Sequence, residues 1–288
     1  MYQQKRAVYS KTFVQVLNEM RYVLRKKGYS QIPQLTSNQP MNVTKTNFYL
    51  VPKNSGNRYA VLIGINYVNH KKGQLSGCHN DVWNMKEYIM NVWGYKESNM
   101  QILMDDGYHT IPTRQNILQA YRNVIKQVKS GDVIFLHYSG HGGRVRDDDI
   151  WGEEEEDGYD ETLVPVDYDT AGQIRDDDLY DTLIDPLPPK CHLISVMDCC
   201  HSGTVLDLPY KYTFGSNGED DDDYYDDDDD GKYHSNIVSY YGGQIVKRKW
   251  CTSKTLCIII CIAITAIVYA VIMLLTRPKD EDDDDNYE

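Results

Sequence analysis

The chain has 288 residues, 41% of them hydrophobic, with seven cysteines and a formal net charge of −13. That length points to one or two domains with enough apolar content for a sizeable core, and the cysteines, which form no CxxC pair and no regular spacing, argue against a disulfide scaffold and fit a reducing compartment. The charge is concentrated: runs at 147–161, 219–230 and 280–288 hold 27 of the 43 acids, so the remaining 16 face all 30 Lys and Arg, and the body is mildly basic. Such runs read as solvated, self-repelling loops whose edges could hold a cation.

The N-terminal MYQQKRAVYSK has no apolar core, so nothing there predicts secretion. Phe13, Leu17, Met20, Val23 and Leu24 fall at helical spacing within 12–27, and Gly28 stops that helix. A loop with prolines runs to about 57. RYAVLIGINY (58–67) reads as a buried strand. A helix capped by Asn80 or Asp81 runs through Val92 to Gly94. MQILM (100–104) is a second strand. Thr113 opens a helix whose Ile117, Leu118, Tyr121, Val124, Ile125 and Val128 share a face, ended by Gly131. DVIFLHY (132–138) is a third strand, LVPV (163–166) a short one, 177–185 a helix stopped by Pro186, and HLISVM (192–197) a fourth apolar strand. Unbroken apolar strands alternating with helices predict an α/β fold, a mostly parallel sheet covered by helices on both faces. Catalytic groups in such sheets sit beyond the carboxyl ends of the strands.

Further on, LCIIICIAITAIVYAVIMLL (256–275) is 20 residues without a charge. A bilayer core needs ~20 residues of helix, so the run predicts a C-terminal transmembrane helix. Lys247, Arg248, Lys249 and Lys254 before it, with Trp250 as interface anchor, against Arg277 and Lys279 after it, place the body in the cytosol as a tail-anchored protein. Cys251 beside the span is a candidate for palmitoylation.

Two strands end in chemistry: one runs into HYSGHGG (137–143), the other into DCCHSG (198–203). A cysteine nucleophile needs a base. His141 lies among glycines that permit a tight turn, and neighbouring strand ends would let it serve a cysteine as base and then the leaving amine as acid. Backbone N–H groups of Gly142 and Cys200 are candidate oxyanion donors. Cys199 and Cys200 point opposite ways from a strand, and periodicity does not choose between them. Zinc held by Cys191, His192, Cys199, Cys200 and His201, a redox pair, and buried inert thiols are the competing readings; adjacent ligands diverging from a strand fit zinc poorly.

HYSGHGG followed 59 residues after His141 by Cys200 of DCCHSG, with YAVLIGINY, LSGCHND, DDDL and VLDLPY around them, resembles the metacaspases of the caspase-like cysteine peptidase clan. The resemblance runs from about Tyr59 to Tyr210, and GYSQIPQLTS within 12–51 is similar to the N-terminal segment of type I members. It implies a caspase-like sheet, Cys200 as nucleophile, Cys199 as a bystander and His141 as base, with His137 a strand residue making a local hydrogen bond. It also implies cleavage after Arg or Lys. Paired carboxylates at Asp81 and Asp198 suit a cation, although Asp81 also reads as a helix N-cap; by resemblance Cys78 and Ser139 complete the pocket. A calcium requirement is implied too, with ligands at Asp160, Asp176, Asp177 and Asp207, carboxylates of the kind calcium takes.

The pattern breaks after LDLPYKY. A further sheet strand is expected there, and the sequence offers an acidic loop, IVSYYGG (237–243) as a remnant strand, then the apolar run; DDDIWGEEEEDG at 147–158 is an insertion. A missing strand would expose an edge and favour dimerisation or a partner chain. The organisation expected is an N-terminal helix and pro-like segment (1–57), a catalytic core (58–211), a shortened small-subunit-like region (212–250), the membrane helix (256–275) and an acidic tail (276–288). The function expected is a membrane-anchored, calcium-dependent cysteine endopeptidase acting on protein or peptide substrates, with self-cleavage at Lys232 or 247–249. The alternatives are a catalytically weak scaffold of the same fold and a metal-binding membrane adaptor using the acidic runs alone. No motif supports nucleic acid binding.

Overall fold

The computed structural model describes residues 11–29, 33–146, 159–199, 208, 210–214, 237–241 and 256–261. Its centre is an eight-stranded sheet in the order β10-β9-β1-β11-β8-β4-β2-β3. The parallel part comprises β2 (Arg58–Gly64), β3 (Met100–Met104), β4 (Val133–Ser139), β8 (His192–Asp198) and β11 (Leu256–Cys261). β1 (Gln34–Ser37), β9 (Tyr210–Phe214) and β10 (Ile237–Tyr241) extend it in antiparallel fashion. A small antiparallel sheet, β5 (Gly142–Arg146), β6 (Tyr159–Leu163) and β7 (Ile174–Arg175), stands apart.

The apolar strands are continuous because both faces are covered. Ala60, Leu62, Val133, Phe135, Ile194 and Val196 point to one core, which also takes helix α1 (Phe13–Lys26) and helix α2 (Cys78–Trp93). Their alternates Val61, Ile63, Ile134, Leu136, Leu193 and Met197 point to the other, beneath helix α3 (Arg114–Gln127) and Leu179, Leu183 and Ile184. Thr12 caps α1 in a capping box with Gln15, an arrangement worth about 1 kcal/mol. Thr113 caps α3 through Asn116 N–H, as its position before the apolar face predicts.

Several expectations are corrected. Residues 256–261, assigned from hydropathy to a membrane helix, form β11 in the interior of the sheet, parallel to β8 and antiparallel to β1. A continuous apolar run suits a strand buried on both faces as well as a membrane helix, and hydropathy does not separate the two. Residues 262–275 lie outside the described residues; among those described, no helix is long and apolar enough to cross a membrane. The remnant strand expected at 237–243 is present as β10, and the further strand expected to be missing is supplied by β9 and β11. The prolyl loop before 57 contains β1, and the strand predicted at 163–166 ends at Leu163, before Pro165. Helix α2 begins at Cys78, earlier than expected, with Gly77 before it and no side-chain cap, so Asp81 is not an N-cap.

Candidate active site

Gly64, Ser139 and Asp198 stand in register at the carboxyl ends of three adjacent strands. The first turn of α2 rests on this row. A Cβ on Gly64 would come within 2.6 Å of Cys78 O, so only glycine allows the helix this close. Asp81 thereby reaches the end of β4, where its Oδ2 accepts a hydrogen bond from Ser139 Oγ at 2.9 Å. Its Oδ1 has no hydrogen-bond partner among the described residues. All four residues expected to form the pocket, Cys78, Asp81, Ser139 and Asp198, are brought together and buried. Burial pushes the Asp81 carboxyl up to about 7, against the Ser139 hydrogen bond. Burial also pushes the Cys78 thiol up to about 12; the Ser139 hydrogen bond opposes this, while the Asp81 and Asp198 charges add to it. Cys78 is therefore no nucleophile.

His141 follows β4 and precedes β5. Its Nε2–H donates to Gly73 O at 2.6 Å. Since a carbonyl only accepts, the proton sits on Nε2 and Nδ1 carries the lone pair in the neutral ring. Gly73 has φ +75°, and a Cβ there would meet His141 Nε2 at 3.4 Å. Gly73→Ala is expected to lower kcat about tenfold with KM little changed, checked by steady-state kinetics, because it twists the carbonyl that holds the tautomer. Gly142, the expected oxyanion donor, opens β5 opposite Leu163.

The remaining histidine and cysteines of these motifs separate cleanly. His137 is a strand residue as expected, but it is fully enclosed, burial drives its pKa down to about 3, and its Nδ1 has no hydrogen-bond partner among the described residues. It stays neutral and takes no proton from a substrate. Cys199 is 4% exposed and packs in the core that contains Tyr67, Tyr121 and Tyr138. Cys191 and His192 lie at the other end of β8, about 20 Å away at ~3.3 Å per residue. That distance removes the zinc reading for Cys191, His192 and Cys199. Cys200, His201 and Asp207 lie outside the described residues.

Of the calcium candidates, Asp160 is on β6 and Asp176 and Asp177 follow β7 directly, with Thr162 and Arg175 in register between those strands. Asp160 and Asp176 are buried, and Arg175 Nη1 lies 3.2 Å from Asp160 Oδ2. The donor type suits calcium. Among the described residues, however, no three His, Cys, Asp or Glu side chains gather closely enough to hold an ion, so these aspartates supply at most part of a ligand set.

Sequence reasoning overlooked the support of this site. Asp105, just past β3, accepts hydrogen bonds from Asn66 N, Val68 N and His79 Nε2. Asn66 Oδ1 in turn accepts from Cys78 N at 3.1 Å. The 65–77 loop is thus tied to both β3 and α2. An aspartate at a strand end, in line with GINY at the end of its neighbour, was the available signal.

The profile of the metacaspase peptidase C14 domain matches residues 58–209, just over half of the chain and inclusive of every element that converges here. The chain belongs to the metacaspase family. It is 55% identical over 206 residues to metacaspase III c of Phaeodactylum tricornutum, covering 72% of this chain and 60% of that one. It is 48% identical over 161 residues to metacaspase-1 of Eremothecium gossypii, covering 55% of this chain and 35% of that one. Metacaspase-1A of Neurospora crassa is 47% identical over 161 residues, with the same two shares. The metacaspase chain thus aligns with between about one third and three fifths of these relatives' length.

Proposed function

We propose that the chain is a cysteine endopeptidase that cuts after Arg or Lys, with Cys200 as nucleophile and His141 as general base. The observation that carries this reading is the gathering of two buried carboxyl groups, Asp81 on Ser139 and Asp198 in register with Ser139, at the strand end two residues before a histidine whose tautomer is fixed by Gly73 O. His141 Nδ1 takes the Cys200 proton as sulfur attacks the scissile carbonyl. The N–H groups of Gly142 and Cys200 hold the oxyanion. His141 returns the proton to the leaving amine, and a water, deprotonated by the same ring, then releases the acid from the thioester.

Specificity rests on charge. Asp81 without a substrate is held partly neutral by burial, and an entering guanidinium or ammonium favours its ionised form. Binding therefore releases a proton, and KM for an arginine peptide falls as pH rises through about 7. The sign for stability is the reverse: an aspartate raised above its free pKa costs the folded state progressively more as pH rises towards 7, and the substrate cation offsets this. Asp81→Asn is expected to lower kcat/KM for an arginine peptide by about two orders of magnitude and to remove the KM trend. A variant that keeps both sinks the specificity assignment.

Calcium is the proposed cofactor, and Asp160, Asp176, Asp177 and Asp207 would supply part of its ligand set. The same peptide assay over a calcium titration, with Asp160→Asn, tests it. The membrane reading is narrowed. After β11 only fourteen residues of the uncharged run remain, 262–275, short of the ~20 that a bilayer core needs. A tail-anchored form with its body in the cytosol is proposed only for molecules in which 256–261 leave the sheet.

A further inference from the structure

The turn that carries His141 is gripped by two buried tyrosines that the mechanism above does not use. Tyr67 Oη donates to Val164 O at 2.7 Å and accepts from His141 N–H at 2.9 Å. Tyr138 Oη donates to His141 O at 2.8 Å. The two hydroxyls lie 3.5 Å apart, and between them the phenols hold both the N–H and the C=O of His141. The Tyr67 ring also lies against the imidazole, with centroids 4.7 Å apart and planes at 37°.

Tyr67 is held in place at some cost. Its φ is +55°, where a bulky side chain is an outlier, and such residues persist only where the surroundings over-determine them. It is 1% exposed. Burial keeps its phenol protonated well above the ordinary range, so the hydroxyl hydrogen stays committed to Val164 O. Tyr67 belongs to the same loop as Gly73, whose carbonyl receives the His141 ring proton. That loop closes on itself through Leu75 N–H to Asn66 O. One rigid loop thus supplies the acceptor for the imidazole, the surface under it and the clamp on its backbone.

We propose that Tyr67 is a positioning residue for the peptidase reaction: its hydroxyl fixes the His141 main chain and its ring fixes the imidazole plane, so that the base and the loop bearing Gly73 move as one body. The proposal rests on His141 being the base for Cys200. Removing the Tyr67 hydroxyl leaves the His141 N–H without its acceptor in a confined site, and the turn relaxes. An error of about 1 Å in the placement of a reacting group costs up to ~100-fold in rate.

The test is Tyr67→Phe in the full chain, with two readouts besides melting temperature. Steady-state kinetics on an arginine peptide should show kcat lowered about 10- to 100-fold and KM within about threefold. Alkylation of Cys200 by iodoacetamide, corrected with Cys200→Ala, should slow in parallel, since it reports how well His141 serves the thiol. A folded Tyr67→Phe with unchanged kcat and unchanged alkylation overturns the proposal. If Tyr67→Phe does not fold, Tyr138→Phe decides, because it removes the matching donor to His141 O; an unchanged kcat there also overturns the clamp. The failure of the underlying reading looks different: the unmodified protein itself would show neither peptide cleavage nor Cys200-dependent alkylation.

Discussion

Cys200→Ala is expected to abolish hydrolysis of an arginine peptide, by roughly four orders of magnitude or more, and to leave the melting temperature nearly unchanged. Cys199→Ala is expected to do the reverse. The setting of Cys199 explains its part of this expectation. Cys199 is packed among Tyr67, Tyr121, Tyr138 and the aliphatic side chains of one core and is 4% exposed, so a substrate does not reach it. Truncating it to Ala leaves a small void, worth about 1–2 kcal/mol, or a fall of about 2–8 °C in melting temperature for a domain of this size. Because Tyr67 and Tyr138 in that same core hold His141, a slight loss of kcat on Cys199→Ala is compatible with this account. A loss as large as that of Cys200→Ala is not, and it would move the nucleophile to Cys199. Burst kinetics and thermal melts on the two variants separate the cases. The same pair of variants also tests the scaffold alternative, since a protein that only retains the fold shows no peptide cleavage for Cys200→Ala to remove.

The parts of the molecule that were legible in the sequence are those in which pattern and chemistry agree. The strands at 58–64, 133–139 and 192–198 read as apolar runs because each lies inside the sheet and is covered on both faces, and 100–104 is the half-buried edge beside them. Thr113 announces its helix because a hydroxyl before an apolar face has one common use. That Cys78, Asp81, Ser139 and Asp198 gather at one place was legible through LSGCHND and HYSGHGG, since strand ends in one register bring those motifs together. What was not legible is what depends on partners distant in the chain. Asp81 reads locally as an N-cap, but the helix begins earlier at Cys78, and its carboxylate instead meets Ser139, 58 positions away. Tyr67 and Tyr138 read as core aromatics, and nothing in periodicity tells that their hydroxyls meet at His141. Gly73 sits in KKGQ with no local signal that its carbonyl holds an imidazole. β1 and β9 are short, mixed-polarity segments that become strands by pairing with each other and, for β1, with β11.

Ending the chain after residue 250 is expected to give an insoluble or molten protein with no measurable activity, whereas ending it after residue 262 is expected to give a folded, active one. If the apolar run served only as an anchor, removing it would release an intact soluble enzyme. β11, however, pairs Leu256–Cys261 with His192–Met197 of β8, the strand that leads into the Cys199-Cys200 pair, and with β1 on its other side. Without it, β8 and β1 both become unpaired edges within an apolar sheet, the configuration that invites aggregation, and β9, β1 and β10 lose their connection to the catalytic half. A domain whose total stability is about 5–15 kcal/mol does not survive the loss of an interior strand. Ile259→Pro in the full chain probes the same point without shortening it. Proline donates no ladder hydrogen bond and is confined to edges, so it should inactivate the enzyme if β11 is interior and leave it active if 256–261 lie in a bilayer. Because the six residues of β11 cannot serve sheet and membrane at once, and the fourteen that follow are too few to span alone, activity should partition with molecules extracted by carbonate, and carbonate-resistant molecules should be inactive. Equal specific activity in both fractions, or full activity from residues 1–250, would show that the catalytic sheet closes without β11 and would return the apolar run to the membrane.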